Sequence, residues 1–382
     1  MTSRSVLISG AGVAGPTLAY WLARQGFQPT VIERSQGLRS SGNPVDVRGP
    51  ALPVAEKMGI LPRLREAATQ TVAMSVVNSS GRQITRIAMP DTRSAAGTRE
   101  VELPRGDLAA VLYDSARNDA EFLFDDTIVG LQQDDDGVDV TFDRAAPRRF
   151  DLVVGADGLH SRVRRLAFGP EHEFIRHLGV YVATMPLGRP VDHPHDVMLY
   201  NTPGRLASIH PARGNALAAF IFRGPAIADI DHRDTERHKQ IVTAAYADAG
   251  WRVPELLERL QTTDDLYFDS VSQVQLPTWT NGRVTLLGDA ASCVSLFGDG
   301  SSLAMAAAYT LATALAEHPA DHATALRGYE NTHRVLVTPK QRGIGRAASL
   351  LVPKTRFGIA ARNLVARTAQ LVQKPGPSAA FA

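Results

Sequence analysis

Apolar positions along this chain recur with two different periods, and the switches between them mark out its elements. Val6, Leu7 and Ile8 form a short continuous apolar run, the pattern of a strand buried on both faces. From Pro16 to Arg24 the period becomes helical. Leu18 and Leu22 fall four apart on one face, Pro16 occupies a first turn that needs no N–H, and Gly26 stands where a helix ends. Thr30, Val31 and Ile32 then lead to Glu33 as a second strand. Strand, helix and strand in this order predict a parallel sheet.

Between Val72 and Val101, short alternating runs separated by Gly81 and Pro90 predict antiparallel strands outside that sheet. A helix is expected from Leu103 to Asn118. Strands follow at Phe122–Phe124, Ile128–Leu131 and Val138–Phe142, with a turn at Asp134–Gly137. Val197–Tyr200, Leu206–Ile209 and Leu217–Phe222 read as a meander, and one helical piece as running from about Arg233 to Leu260. Val284–Leu287 is a further buried strand, leading into a glycine-rich loop and an alanine-rich helix. After Tyr329 the chain reads as helix up to Lys374. Neither an internal repeat nor a low-complexity segment is present.

Charge narrows the function classes. Lys and Arg number 41 and Asp and Glu 39, so the net charge of +2 gives no basic stripe of the kind that nucleic acid requires. The stretch from Arg334 to Arg367 is basic but interleaved with apolar residues, the pattern of a solvated helix face. Cys293 is the single cysteine, which fits a reducing compartment. No run approaches the roughly 18 apolar residues of a membrane span, and the N-terminus does not read as a signal peptide. The expected location is cytoplasmic. The eleven histidines form no H-E-x-x-H and no metal-ligand spacing; His193 and His195 read as structural, and no metal is expected. Gly-x-Ser-x-Gly is absent, which removes support for a serine hydrolase. His210 and Cys293 read as core or rim residues.

The candidate chemistry lies at three strand ends. Gly10-Ala11-Gly12-Val13-Ala14-Gly15 is a G-x-G-x-x-G between strand and helix. Its first glycine permits the turn, the second lets backbone approach a pyrophosphate, and the third lets the helix pack on the strand. The pyrophosphate is then held at a helix N-terminus. Glu33, 18 residues beyond Gly15, is placed to accept ribose hydroxyls. Its charge disfavours a 2′-phosphate here, but the motif does not separate FAD from NAD. Asp157-Gly158 and Gly288-Asp289 each end a buried strand, where ligands of open α/β sheets bind. Either aspartate can accept hydroxyls of a sugar or ribityl chain. Ser301 or Ser302 can cap the helix that follows.

These segments resemble the flavoprotein aromatic hydroxylases of the para-hydroxybenzoate hydroxylase type, the group A flavin monooxygenases. "ISGAGVAGPTLAYWLARQGFQPTVIER", "DLVVGADGLHSRVRR" and "RVTLLGDAAS" are similar to that family's three motifs, in the family's order. "VELPRGDLAAVL" resembles the segment whose arginine, here Arg105, contacts the flavin side chain. "GNPVDVRGPAL" and "LPRGDL" look closest to tetracycline-inactivating and polyketide-tailoring members. The resemblance implies an α/β fold: a Rossmann-like FAD-binding domain (1–70, 101–170 and 276–330), a mostly antiparallel sheet substrate domain (71–100 and 171–275) lying over the flavin ring, and a C-terminal helix with its tail (331–382). It implies that Gly10, Gly12, Gly15 and Glu33 bind the ADP half of FAD, and that Arg105 and Asp289 hold the ribityl and pyrophosphate part. Asp157 and Gly158 would serve both FAD and the nicotinamide cofactor. Gly298, Gly300, Ser301 and Ser302 would flank the isoalloxazine, with Arg48 near it. Val13, Ala14, Arg34 and Gly288 complete the expected cofactor set.

By the same resemblance the activity is hydroxylation of an aromatic or polycyclic small molecule, of polyketide or antibiotic type, with NADPH or NADH and O2, by a monomer or homodimer. The cofactor carries the chemistry, so no catalytic side chain is assigned. Two departures from the family stand out. Ser292 replaces the histidine after Gly-Asp-Ala-Ala, and Leu296-Phe297-Gly298-Asp299-Gly300 lacks the usual proline, in a loop one residue short. They keep open an oxygen-independent FAD reductase or dehydrogenase. A flavin-containing drug-binding protein without turnover is a further alternative, from another class. The W-x-W-x-I-P signature of flavin halogenases is absent.

Overall fold

A computed structural model describes residues 4–38, 44–88, 100–211, 216–227, 231, 234–293 and 299–373. The chain divides into two compact units. The first comprises residues 1–68, 99–178 and 271–344, and the second residues 69–98, 179–270 and 345–382.

The first unit is built on a six-stranded sheet. Its order is Thr280–Asn281, Val284–Leu286, Leu152–Gly155, Ser5–Ser9, Gln28–Glu33 and Glu121–Phe124. All neighbours are parallel except the short Thr280–Asn281 edge. The central strands are apolar throughout because both faces are covered: Val6, Leu7, Ile8, Val153 and Val154 have no exposed surface. Ala14–Arg24 and Asp299–Glu317 pack on this core through Leu18, Leu22, Met305 and Leu311. Ile128–Gln133, Val138–Phe142 and Arg148–Phe150 form a separate antiparallel sheet. Its turn is fixed by Asp134 Oδ1, which accepts from the Asp136 and Gly137 N–H groups. Val45–Val47 pairs antiparallel with Val101–Leu103.

The second unit carries a seven-stranded sheet ordered Tyr267–Val274, Ile175–Pro186, Leu217–Arg223, Arg205–His210, Asp196–Thr202, Ala73–Val77 and Gln83–Ala88. From Ile175–Pro186 onward the neighbours are antiparallel, except that Asp196–Thr202 lies parallel to Ala73–Val77. Thr235–Tyr246 and Val253–Thr262 cover one face, burying Val242, Tyr246, Leu256 and Leu260 against Ala183, Met185, Ala218 and Phe220.

Several expectations need correction. The single helical piece over 233–260 is two helices, separated at Trp251, whose φ of 57° no helix tolerates. The C-terminal helix is also two, His322–Leu351 and Arg356–Gln373. Pro353 disfavours helical backbone at Val352 and breaks them apart. Helices Ala51–Lys57 and Leu61–Ala67 and strand Ile175–Pro186 were not anticipated. Among the described residues no helix is long and apolar enough to cross a membrane.

Candidate functional site: a cradle at the carboxyl edge of the parallel sheet

Parallel register brings the three motifs together. Ser9 is in register with Ile32 on one side and Gly155 on the other, and Gly155 with Leu286. The chain therefore leaves all these strands at the same edge. Ala156 N donates to Ser9 O at 2.8 Å, Gly10 N to Ile32 O at 2.7 Å, and Leu287 N to Gly155 O at 2.8 Å.

Glycine is demanded here by contact. Gly10 has φ 105°, and a Cβ on it would lie 2.6 Å from the Ala156 carbonyl oxygen. A Cβ on Gly15 would lie 1.9 Å from the Gly10 carbonyl oxygen, so strand and helix could not approach. Gly12 is different: a Cβ there would meet nothing within 4 Å. Close packing does not require that glycine, whose missing side chain leaves backbone open at the start of Ala14–Arg24. Val13, the residue before that helix, makes no side-chain cap, so no side chain at the cap position competes for the first-turn N–H groups.

Glu33 sits at the rim. Its Oε2 accepts the Ala11 N–H at 2.9 Å and its Oε1 the Ser35 N–H at 3.0 Å. Each carboxylate oxygen retains a further lone pair for a hydroxyl. Arg34 is exposed just beyond it. Asp157 is engaged with its own helix: Oδ1 accepts the Ser161 hydroxyl at 2.5 Å, and Oδ2 the N–H groups of Arg162 and Val163 at 2.7 and 3.1 Å. Gly158 supplies the positive φ, 79°, that lets the chain turn into Arg162–Ala167. Gly288, with φ 62°, starts the one-turn helix Asp289–Ser292. A Cβ on it would lie 3.3 Å from the Ala14 side chain, and one on Gly300 would lie 3.6 Å from Asp289 Oδ1. The first and third motifs and the start of Asp299–Glu317 are thus neighbours.

Arg48 and Ser302 meet, although not as expected. Ser302 caps nothing, because the helix begins at Asp299. Its hydroxyl donates to Asp46 O at 2.7 Å and accepts the Arg48 N–H at 3.0 Å. Arg48 Nε donates to Asp299 Oδ1 at 3.0 Å, while Lys340 Nζ binds Oδ2 at 2.9 Å. Burial raises the Asp46 carboxyl above its ordinary value, against the opposing pull of Arg48. Ser301 is half-buried beside Ser302. Arg105 opens helix Arg105–Ala116, is exposed, and makes no hydrogen bond or ion pair among the described residues. It follows Leu103, which pairs with Val45, whereas Arg48 follows Val47 at the ladder's other end. Gly298 and the departing loop residues Leu296 and Phe297 lie outside the described residues.

One residue of structural weight was missed. Arg164 has no exposed surface, and its guanidinium donates to Ala290 O at 2.9 Å and Leu159 O at 2.5 Å. It joins the second motif to the third. Burial pulls it below its ordinary value. Burial works to raise Glu171 nearby, but His160, Arg165 and Arg164 together hold it below the usual carboxylate range.

The family model described as the FAD binding domain matches residues 3–335. A flavin-dependent monooxygenase of Legionella longbeachae is 34% identical over 354 residues, 91% of this chain and 90% of its own length. The chain belongs to the FAD-dependent monooxygenase family. An uncharacterised protein of Mycobacterium tuberculosis is 41% identical over 334 residues, 86% of this chain and 89% of that one. The crystal structure of the tetracycline destructase Tet(51) superimposes with a TM-score of 0.84 at 29% identity, covering 98% of this chain and all of that one. The cradle fits the cofactor this family binds: open backbone at Gly12, an uncapped helix start, and carboxylates at Glu33 and Asp289.

Proposed function

We propose that this flavoprotein is an NAD(P)H-dependent hydroxylase that inserts one atom of O2 into an aromatic or polycyclic small molecule. The observation that carries the reading is the meeting of three separated strand ends around open backbone at Gly12. Likeness to a tetracycline destructase supports a polycyclic substrate.

FAD, when bound, supplies hydride acceptance and the activation of oxygen. The chain's own residues supply position and charge. Gly12 and the first-turn N–H groups of Ala14–Arg24 would receive the pyrophosphate, and Glu33 the adenosine ribose. The charge of Glu33 repels a 2′-phosphate, so NADPH does not take this cradle. Asp289 would accept ribityl hydroxyls. The positive start of helix Asp299–Glu317 would favour a negatively charged group beside it. The Asp299 carboxylate in that first turn opposes this, and Arg48 and Lys340 offset it by pairing with both oxygens.

The test is a flavin spectrum of the purified protein, then NAD(P)H oxidation and O2 uptake with a panel of polycyclic phenols and enols. Stimulated, matched consumption of both supports the reading. NAD(P)H oxidation that proceeds with substrate in the absence of oxygen assigns a reductase instead. A colourless protein that takes up no FAD removes the reading altogether.

A further inference from the structure

Helix Arg356–Gln373 of the second unit packs on its sheet with the amphipathic sides reversed. Polar residues turn inward: Arg362 donates to Asn201 Oδ1 at 2.9 Å and to the carbonyls of Leu350 and Leu351 at 3.3 Å, and Asn363 is buried. Apolar residues turn outward. Phe357, Ala360 and Leu364 recur at the i, i+3, i+7 spacing of one helical stripe, all exposed, with Val365 beside them. Phe357 is 83% accessible, Leu364 61% and Val365 66%. Leu350, in the last turn of the preceding helix, is 61% accessible. A surface helix normally points such a stripe at the core. Single exposed apolar residues are ordinary, but a stripe of them on one helix marks an interaction surface.

Charge selects the occupant. From Gly345 to Ala382 the chain holds six Lys or Arg and no Asp or Glu. Arg346, Lys354 and Arg356 are exposed, and their side chains make no hydrogen bond or ion pair among the described residues. The helix packs against strands Gln83–Ala88 and Asp196–Thr202, whose only charged residues, Arg86 and Asp196, pair with each other at 2.7 Å. Helix stability does not account for the cations. Lys354 and Arg356 stand at the N-terminal end, where the dipole disfavours positive charge, and the first turn contains no acid.

We propose that helix Arg356–Gln373 docks this protein on an anionic lipid bilayer, with Phe357 and Leu364 among the acyl chains and Lys354 and Arg356 at the headgroups. Helices that lie in the plane of a bilayer interface have this composition, an apolar stripe buried about 5–10 Å deep beside basic residues. A nucleic acid would engage the cations and leave Phe357 in water. A second copy docked by twofold symmetry would set the cations against their own equivalents. The docking is peripheral, because no helix among the described residues is long and apolar enough to cross a membrane. It does not depend on the reaction proposed above.

Flotation of the full FAD-loaded protein with vesicles tests this, using phosphatidylcholine and phosphatidylglycerol in equal parts against phosphatidylcholine alone. Binding to the anionic vesicles is about tenfold tighter or better, since each cation near such a surface is worth about fivefold. Raising salt from about 0.1 M to 1 M shortens the screening length from about 10 Å to 3 Å and releases most of the protein. Phe357→Gln combined with Leu364→Gln weakens binding to anionic vesicles about tenfold or more. Lys354→Gln combined with Arg356→Gln weakens it about twenty-fivefold. All four side chains are exposed, so both double variants keep the melting temperature and FAD retention of the unaltered protein. No binding to anionic vesicles, equal binding to neutral ones, or unchanged binding in the Phe357→Gln and Leu364→Gln variant overturns the proposal. A dimer in analytical ultracentrifugation that the same variant dissociates assigns the stripe to a second copy and overturns it as well. So does tighter binding to a DNA duplex than to anionic vesicles, undiminished in that variant.

Discussion

Arg164 Nη1 donates to the carbonyl oxygen of Ala290 from 2.9 Å, across 126 residues of sequence. The same guanidinium holds Leu159 O, so one buried cation fixes the loop after Asp157 to the turn after Asp289. Both carbonyls lose their donor in Arg164→Met. An unpartnered buried acceptor costs about 1–3 kcal/mol, and the Leu159 carbonyl is only partly buried, so the pair costs about 2–5 kcal/mol. The expected result is a clearly lower unfolding midpoint in denaturant. An unshifted midpoint removes Arg164 from the architecture of the site.

Gly12 and Gly15 separate binding from folding. Gly15→Ala drives a methyl to 1.9 Å from the Gly10 carbonyl, so the strand and helix must part and the protein melts lower with or without FAD. Gly12→Ala meets no protein atom, so the flavin-free protein keeps its melting temperature. The added methyl stands where a pyrophosphate would approach, and retention of FAD through gel filtration falls by about tenfold or more, the scale of about 1.4 kcal/mol. Equal retention in Gly12→Ala and the unaltered protein means the cradle holds something else.

The parallel sheet was legible because its signals are local: a continuous apolar run, a helical period and a glycine turn sit within thirty residues of one another. Gly10, Gly12, Gly15 and Glu33 could be named for that reason. Strand Ile175–Pro186 was hidden because its partner Leu217–Arg223 is distant in sequence and its buried residues carry no clean alternation. The break at Trp251 was hidden because a positive φ at tryptophan has no sequence mark. Ser302 was read as a cap from its place beside a helix, yet its hydroxyl serves Asp46 and Arg48, 256 and 254 residues away. Arg164 looked like one more arginine of a basic run. Only the closure of two distant loops over it makes it a buried donor.

Ser302 makes that long-range tie testable. Its side chain is buried and bridges the Asp46 carbonyl and the Arg48 N–H, linking strand Val45–Val47 to helix Asp299–Glu317. Ser302→Ala leaves both backbone groups without their partner and costs about 1–3 kcal/mol. Ser302→Thr keeps the hydroxyl and recovers part of the loss. Hydrogen exchange at the Arg48 amide reports the effect locally: it accelerates in Ser302→Ala and stays slow in the unaltered protein. An unchanged Arg48 amide contradicts the bridge.

His333 sets an acid limit on the first unit. Its ring is enclosed, stacked 6.2 Å from Tyr329, and burial pushes its imidazole down to about 4 from 6.5. The folded chain therefore holds this ring neutral where the unfolded chain protonates it. Its contribution is fully present above about pH 6.5 and is lost as pH falls toward 4, at up to about 1.4 kcal/mol per pH unit. His333→Phe fills the same apolar site and has no proton to gain. Stability lost between pH 7 and pH 5 is therefore smaller in His333→Phe than in the unaltered protein, measured as the change in urea midpoint. The remaining histidines titrate alike in both proteins and cancel in that comparison. Equal acid sensitivity of the two proteins contradicts a neutral, enclosed His333.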